Sequence, residues 1–209
     1  MPIAECLVCG AGFASEWGPP PPCASCGSSD VVTVDMRRSR WVAGPVFRAG
    51  DHAALLYASE RRFMEVVVPF VRTGLDSGET VLLTVEPKLR DAVLESLDLD
   101  RRERAHVGWS DPREHYGSDF NAERTCRAYA EIMEHTPGPL RVAAALDRES
   151  AAAVDPEEWA HYEQVVEGLL QGDALALCAY DTRHCSRKLL DVATAHDCLA
   201  GRHTLHERY

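Results

Sequence analysis

The chain has 209 residues, 45% hydrophobic and 26% charged, with a formal charge of −11. That length holds one sizeable core and a small appendage rather than two full domains. The acidic balance excludes a protein that grips nucleic-acid phosphates over its whole surface, and apolar runs such as Val66 to Val71 and Val81 to Val85 stop far short of the roughly 20 residues of a membrane span.

Residues 1–34 begin Met-Pro-Ile-Ala-Glu-Cys, with neither the basic nor the apolar region of a secretory signal, so a cytoplasmic location and reduced thiols are expected. Cys6-x-x-Cys9 and Cys23-x-x-Cys26 are separated by 13 residues. Each pair can place two thiolates on one tetrahedral ion, and the segment has too few large aliphatics to bury four separate cysteines. The spacing predicts a zinc ribbon holding one structural Zn2+ in a closed coordination shell, with a short strand at Val31 to Val34. Residues 35–50 carry Arg37, Arg38, Arg40, Trp41, Gly44, Pro45 and Gly50 without any period, and read as a linker or docking arm. Acids and arginines balance over residues 1–48, which favours protein docking for this arm; nucleic-acid contact through Arg37, Arg38 and Arg40 is the second reading.

Over residues 51–209 strand-like and helix-like stretches alternate, the pattern of an α/β fold with a parallel sheet and crossover helices. Ala53 to Tyr57 reads as a strand. Phe63, Val66, Val67, Phe70 and Val71 recur at helical spacing and lead through Gly74 and Gly78 to the strand Thr80 to Val85. Pro87 opens the next helix. A strand follows near Ala105 to Trp109, a helix over Arg124 to His135, and a strand over Leu140 to Leu146. Asp155-Pro156-Glu157-Glu158 supplies a cap, a first-turn proline and acids for a helix carrying Trp159, Tyr162, Val166 and Leu169. Ala174 to Tyr180 is the last strand predicted, and Ser186 caps a final helix.

Only Lys88 and Lys188 are lysines and neither follows a glycine, so the phosphate-cradling pattern G-x-x-x-x-G-K-[ST] does not occur. With no G-x-S-x-G elbow and no recognisable triad, the chain reads as non-enzymatic.

The ordered set His52-Ala-Ala-Leu-Leu-Tyr57, Gly74-Leu75-x-x-Gly78-Glu79-x-Val81-Leu82, Trp159-x-x-Tyr162-Glu163 and Cys178-x-Tyr180-Asp181 resembles the MEDS family, the methanogen, methylotroph and dichloromethane-regulator sensory domain. The resemblance spans nearly all of residues 51–209. It implies a RecA-like α/β fold related to P-loop ATPases but used to sense small molecules in transcriptional or signalling regulators. Where an ATPase of that fold would carry its phosphate loop, this chain has Glu86-Pro87-Lys88, with no glycine to wrap a phosphate. The chain departs from the family pattern at Glu167 and at Asp147-Arg148-Glu149.

In open parallel sheets ligands bind outside the carboxyl ends of the strands. The predicted strands place Tyr57, Glu86, Trp109, Asp147, Arg148, Tyr180, Asp181 and Arg183 there. The expectation is a pocket with aromatic walls from Tyr57, Trp109 and Tyr180 for a largely apolar metabolite, and polar anchors from Glu86, Asp181 and Arg183. The alternative has Tyr180 in the core and Asp181 capping a turn. His52 precedes its strand and is read as a structural hydrogen-bonding group or a ligand contact. Trp159 and Tyr162 read as core, and Glu163, if turned inward, needs an arginine or a backbone donor, since an unpaired buried carboxylate is costly. His184, Cys185, His196 and Cys198 fit no compact zinc spacing. The resulting expectation is a regulatory sensor that binds a small molecule and signals to a protein partner, alone or as an oligomer, with no membrane role. The rivals are an interaction adaptor and a metal- or cysteine-dependent enzyme.

Overall fold

A computed structural model describes residues 3–6, 12–14, 21–29, 31–34, 40–43, 50–170, 174–196 and 198–201. The N-terminal strands β1 (Ile3–Cys6), β2 (Gly12–Ala14) and β3 (Val31–Val34) form an antiparallel sheet in the order β2-β1-β3. Next come β4 (Arg40–Ala43), β5 (His52–Tyr57), α1 (Glu60–Asp76), β6 (Thr80–Thr84), α2 (Pro87–Leu97), α3 (Arg101–Arg104), β7 (Val107–Ser110) and α4 (Pro112–Tyr116). The chain continues through α5 (Ala122–His135), β8 (Leu140–Ala145), α6 (Arg148–Ala153), α7 (Pro156–Leu169), β9 (Ala174–Asp181), α8 (Arg187–Ala193) and β10 (Cys198–Gly201). Their strands build a parallel seven-stranded sheet, ordered β4-β10-β5-β9-β8-β6-β7.

The helix starts follow from local chemistry. Asp155 accepts hydrogen bonds from the Glu157 and Glu158 amides, Ser186 from Leu189, and Asn121 from Arg124, while Pro87 and Pro156 occupy first-turn positions where a missing N–H costs nothing. Two strands of the seven-stranded sheet differ from the sequence expectation. β4 lies inside the stretch read as a linker, and β10 closes the gap between β4 and β5. Four residues are too few to display a period, and both strands owe their hydrogen bonds to neighbours distant in sequence.

The side-chain period of two sorts the central strands onto two cores. Ala54, Leu56, Val142, Ala144, Ala176, Cys178 and Tyr180 share a cluster with buried residues of α5, α7 and α8. Ala53, Leu55, Tyr57, Leu83, Ala143, Leu175 and Leu177 share the other with α1 and α2. Every residue of β5, β8 and β9 is buried, which is why those strands read as nearly continuous apolar runs, with His52, Arg141 and Asp181 as the charged or polar exceptions that need buried partners.

The glycine-rich motif after α1 has a packing explanation. A Cβ on Gly74 would lie 2.8 Å from Cδ of Arg141, whose side chain crosses that point. The Arg141 guanidinium then makes two hydrogen bonds to Glu79 (2.6 and 2.9 Å), donates to the Phe70 carbonyl (2.9 Å) and lies 4.8 Å from the Phe70 ring centroid. Gly78 takes φ of +74°, which a residue with a side chain rarely adopts. Gly74, Gly78 and Glu79 thus seat a buried arginine at the amino end of β8.

Candidate functional site

His52 opens β5 on the same sheet face as Cys178 in β9, because His52 pairs with Ala176 and Ala54 with Cys178. Glu163 reaches this face from α7, whose buried positions Trp159, Tyr162, Glu163 and Val166 repeat at helical spacing. His196 arrives from the turn after α8. All four side chains are buried and their ligand atoms lie within 4.8 Å of one another. Oε2 of Glu163 lies 3.1 Å from Nε2 of His52, 3.3 Å from Nε2 of His196 and 3.9 Å from the Cys178 sulfur. Nε2 of His52 is 3.3 Å from that sulfur. The other Glu163 oxygen accepts from the Tyr180 hydroxyl, which itself accepts from the Trp159 indole N–H at 3.0 Å.

Burial alone would raise the Glu163 pKa, but His196 and His52 outweigh it and hold the carboxyl well below the ordinary range. Burial lowers the His196 pKa, and Glu163 more than reverses this, aided by hydrogen bonding to the backbone at Val192 and Ala193. Burial, then Glu163, pushes the Cys178 thiol and the Tyr180 hydroxyl up. Glu163 therefore satisfies its charge with imidazoles and a phenol, not with the arginine or backbone donor expected from the sequence.

A cavity of about 370 Å³ opens beside this cluster, with His52, Glu163 and His196 on its inner wall and Ala160, Val192 and Ala195 interleaved with Gln164, Glu167 and Asp191 over the rest. On the other side of the cluster lies an aromatic core: the Tyr116 hydroxyl is 2.7 Å from that of Tyr129 and 3.3 Å from that of Tyr162, and Tyr129 donates to Thr84 at 3.1 Å. Trp159 packs within it, tilted against Tyr162 with ring centroids 4.8 Å apart and edge-on to Tyr116 at 5.2 Å. Trp159 and Tyr162 are core residues, and Trp159 also steadies Tyr180.

The strand-end residues do not share one wall. Leu56 pairs with Tyr180 and Tyr57 with Asp181, so Tyr57 and Tyr180, on adjacent strands one step out of phase, point to opposite faces. Tyr57 packs on Phe63, and its hydroxyl pKa is raised by burial and by Asp181. Asp181 accepts from Arg183 through both oxygens, as an acid closing its own turn. Glu86 precedes α2, Asp147 caps α6 by accepting from Ser150, and Arg148 is the first residue of α6. Trp109, an exposed large hydrophobic at 38%, donates to the Val85 carbonyl and lies 4.4 Å under the Arg90 guanidinium.

Among the described residues a second cluster has metal-ligand chemistry: the Cys6, Cys23 and Cys26 sulfurs lie within 4.8 Å of one another, with 3.5 Å between Cys6 and Cys26. Gly27 follows Cys26 with φ of +71° and donates to the Cys23 carbonyl, closing the tight turn that the spacing predicts. Cys9, Arg37 and Arg38 lie outside the described residues. Of the late His and Cys residues, His196 joins the Glu163 cluster, Cys185 is buried with its thiol pushed up to about 12 by burial and Asp181, His184 sits 3.9 Å from Asp181, and Cys198 begins β10. The sequence reading missed the convergence of His52, Glu163, Cys178 and His196. Its available signal was polar chemistry inside apolar segments: Cys178 and Tyr180 interrupt a strand of alanines and leucines. None of the described helices is long and apolar enough to cross a membrane.

The profile of the MEDS family, described as the methanogen/methylotroph, DcmR sensory domain, matches residues 51–197. Among solved structures, the crystal structure of a KaiC-like protein from the hyperthermophilic archaeon Pyrococcus horikoshii OT3 is similar, with a TM-score of 0.50 and 14% identity over 78% of this chain and 80% of that one. At that identity the likeness is one of fold, a parallel sheet flanked by helices in the RecA manner. No curated protein matches the chain.

Proposed function

The chain belongs to the MEDS family of sensory, non-catalytic domains, and on that footing we propose that it is a regulatory sensor of a small, largely apolar molecule whose output passes to a protein partner. The observation that carries this reading is the 370 Å³ cavity beside the Glu163 cluster, where the apolar side chains of Ala160, Val192 and Ala195 alternate with polar groups that include Glu167 and Asp191. Such a space suits a compact ligand with one polar group. The cavity lies between α7 and α8, so a ligand that binds more tightly to one spacing of these helices shifts their equilibrium; differential affinity is the means by which a ligand can signal.

The loop after β6 supports sensing over nucleotide use. Pro87 removes a backbone donor at the start of α2, and the Lys88 ammonium is engaged by Glu60 at 2.5 Å. We assign one structural Zn2+ to Cys6, Cys9, Cys23 and Cys26, supported by the approach of three of the sulfurs, and the protein-docking role to the segment around Arg37, Arg38 and Arg40.

Ala160→Trp tests the reading, because a large side chain at that wall fills the cavity. In a thermal-shift survey of small alcohols, halides and carboxylates, at least one compound is expected to raise the melting temperature of the wild type and not of the folded variant. Equal shifts in both proteins, or none in the wild type, would favour an interaction adaptor instead.

A further inference from the structure

We propose that His52, Glu163, Cys178 and His196 form a tetrahedral site for one divalent metal ion of zinc's class, separate from the cysteine ribbon and independent of the small-molecule reading. Zinc bonds of about 2.0–2.3 Å place the ligand atoms of a tetrahedron roughly 3.3–3.8 Å apart. The separations of 3.1 Å for His52 to Glu163, 3.3 Å for His52 to Cys178, 3.3 Å for His196 to Glu163 and 3.9 Å for Cys178 to Glu163 straddle that edge length.

The arrangement is a star and not a chain. A hydrogen-bonded network hands each donor its own lone pair, yet one oxygen of Glu163 faces two imidazole nitrogens and a thiol at once, more than its two lone pairs serve well. A cation at the centre converts this crowding into coordination. Two neutral imidazoles, one carboxylate and one thiolate carry a total charge of −2, which cancels a divalent ion and makes its burial tolerable. Thiolate and imidazole also select against Mg2+ and Ca2+, which take oxygen ligands.

The surroundings match what holds metal ligands in place. Tyr180 fixes the outward oxygen of Glu163 and is itself fixed by Trp159, while the His196 imidazole hydrogen-bonds the backbone at Val192 and Ala193. Four separate parts of the fold converge on the point: β5, α7, β9 and the turn after α8. The cavity touches His52, Glu163 and His196, so an ion has a path inward.

The test compares zinc content of the full chain and of His196→Gln after incubation with ZnCl2 and desalting, with folding checked by circular dichroism. The ribbon contributes equally to both, so the expected result is a difference of one ion per chain whatever the ribbon holds. Cobalt supplies the second measurement: Cys178→Ser is expected to weaken the thiolate-to-Co2+ charge-transfer band relative to the wild type. If His196→Gln does not fold, His52→Gln replaces it in the zinc comparison and the cobalt spectra decide independently. Equal zinc content in folded wild type and variant, or an unchanged cobalt band in Cys178→Ser, would overturn the site.

Discussion

A carboxylate taken out of water has to recover several kcal/mol of lost hydration from its partners, and Glu163 does so with two histidines and a tyrosine supplied by three other parts of the chain. That concentration of polar groups makes α7 a carrier of chemistry and not only of packing. A simpler titration is offered by His115, stacked on Tyr129 with ring centroids 5.3 Å apart. Burial lowers its pKa, with Glu114 opposing, so the fold favours the neutral ring. The unfolded chain takes up the proton first: the contribution to stability is full above the unfolded value of about 6.5, shrinks as pH falls from there, and is gone below the folded value. His115→Gln should therefore flatten the fall in melting temperature between about pH 7.5 and pH 5. Parallel pH profiles for wild type and variant would remove His115 from the acid response.

Among the elements, the junction of α1, β6 and β8 depends on a single missing Cβ. Gly74→Ala brings a methyl to 2.8 Å from Arg141 Cδ and 2.9 Å from its Nε. A free surface arginine would swing away. This one is anchored by Glu79 and the Phe70 carbonyl, so the substitution is expected to cost about 1–3 kcal/mol, the usual range for overpacking. Urea unfolding would measure it, and a loss below about 0.5 kcal/mol would mean that α1 shifts without strain. Helix starts were legible from Asp155, Ser186 and Pro87 because a cap acts within three or four residues of itself. The edge strand β4 and its neighbour β10 were not, because their hydrogen bonds come from partners more than a hundred residues away.

For the molecule as a whole, the two sheets differ in what stabilises them. The seven-stranded sheet is covered on both faces by helices, whereas the three-stranded sheet and the turn beside it bury only Ala4, Cys6 and Cys23 as hydrophobic residues among those described. Chelation of the full chain should collapse hydrogen-exchange protection in β1 and β3 while β6 and β8, which carry none of the proposed metal ligands, keep theirs, since a small domain stapled by metal loses its folding free energy with the ion. Equal loss in both sheets, or none in either, would count against a metal staple in the ribbon. Alternating periods, caps, paired cysteines and the lack of a phosphate loop are properties of neighbours along the chain, and the sequence by itself determined the α/β class, the turn from Cys23 to Cys26 and most of the element order. The meeting of His52, Glu163, Cys178 and His196 was decided only by the tertiary structure. It depends on the register between β5 and β9, segments more than a hundred residues apart, and on the rotation of α7, which is set by its packing against α5 and α8.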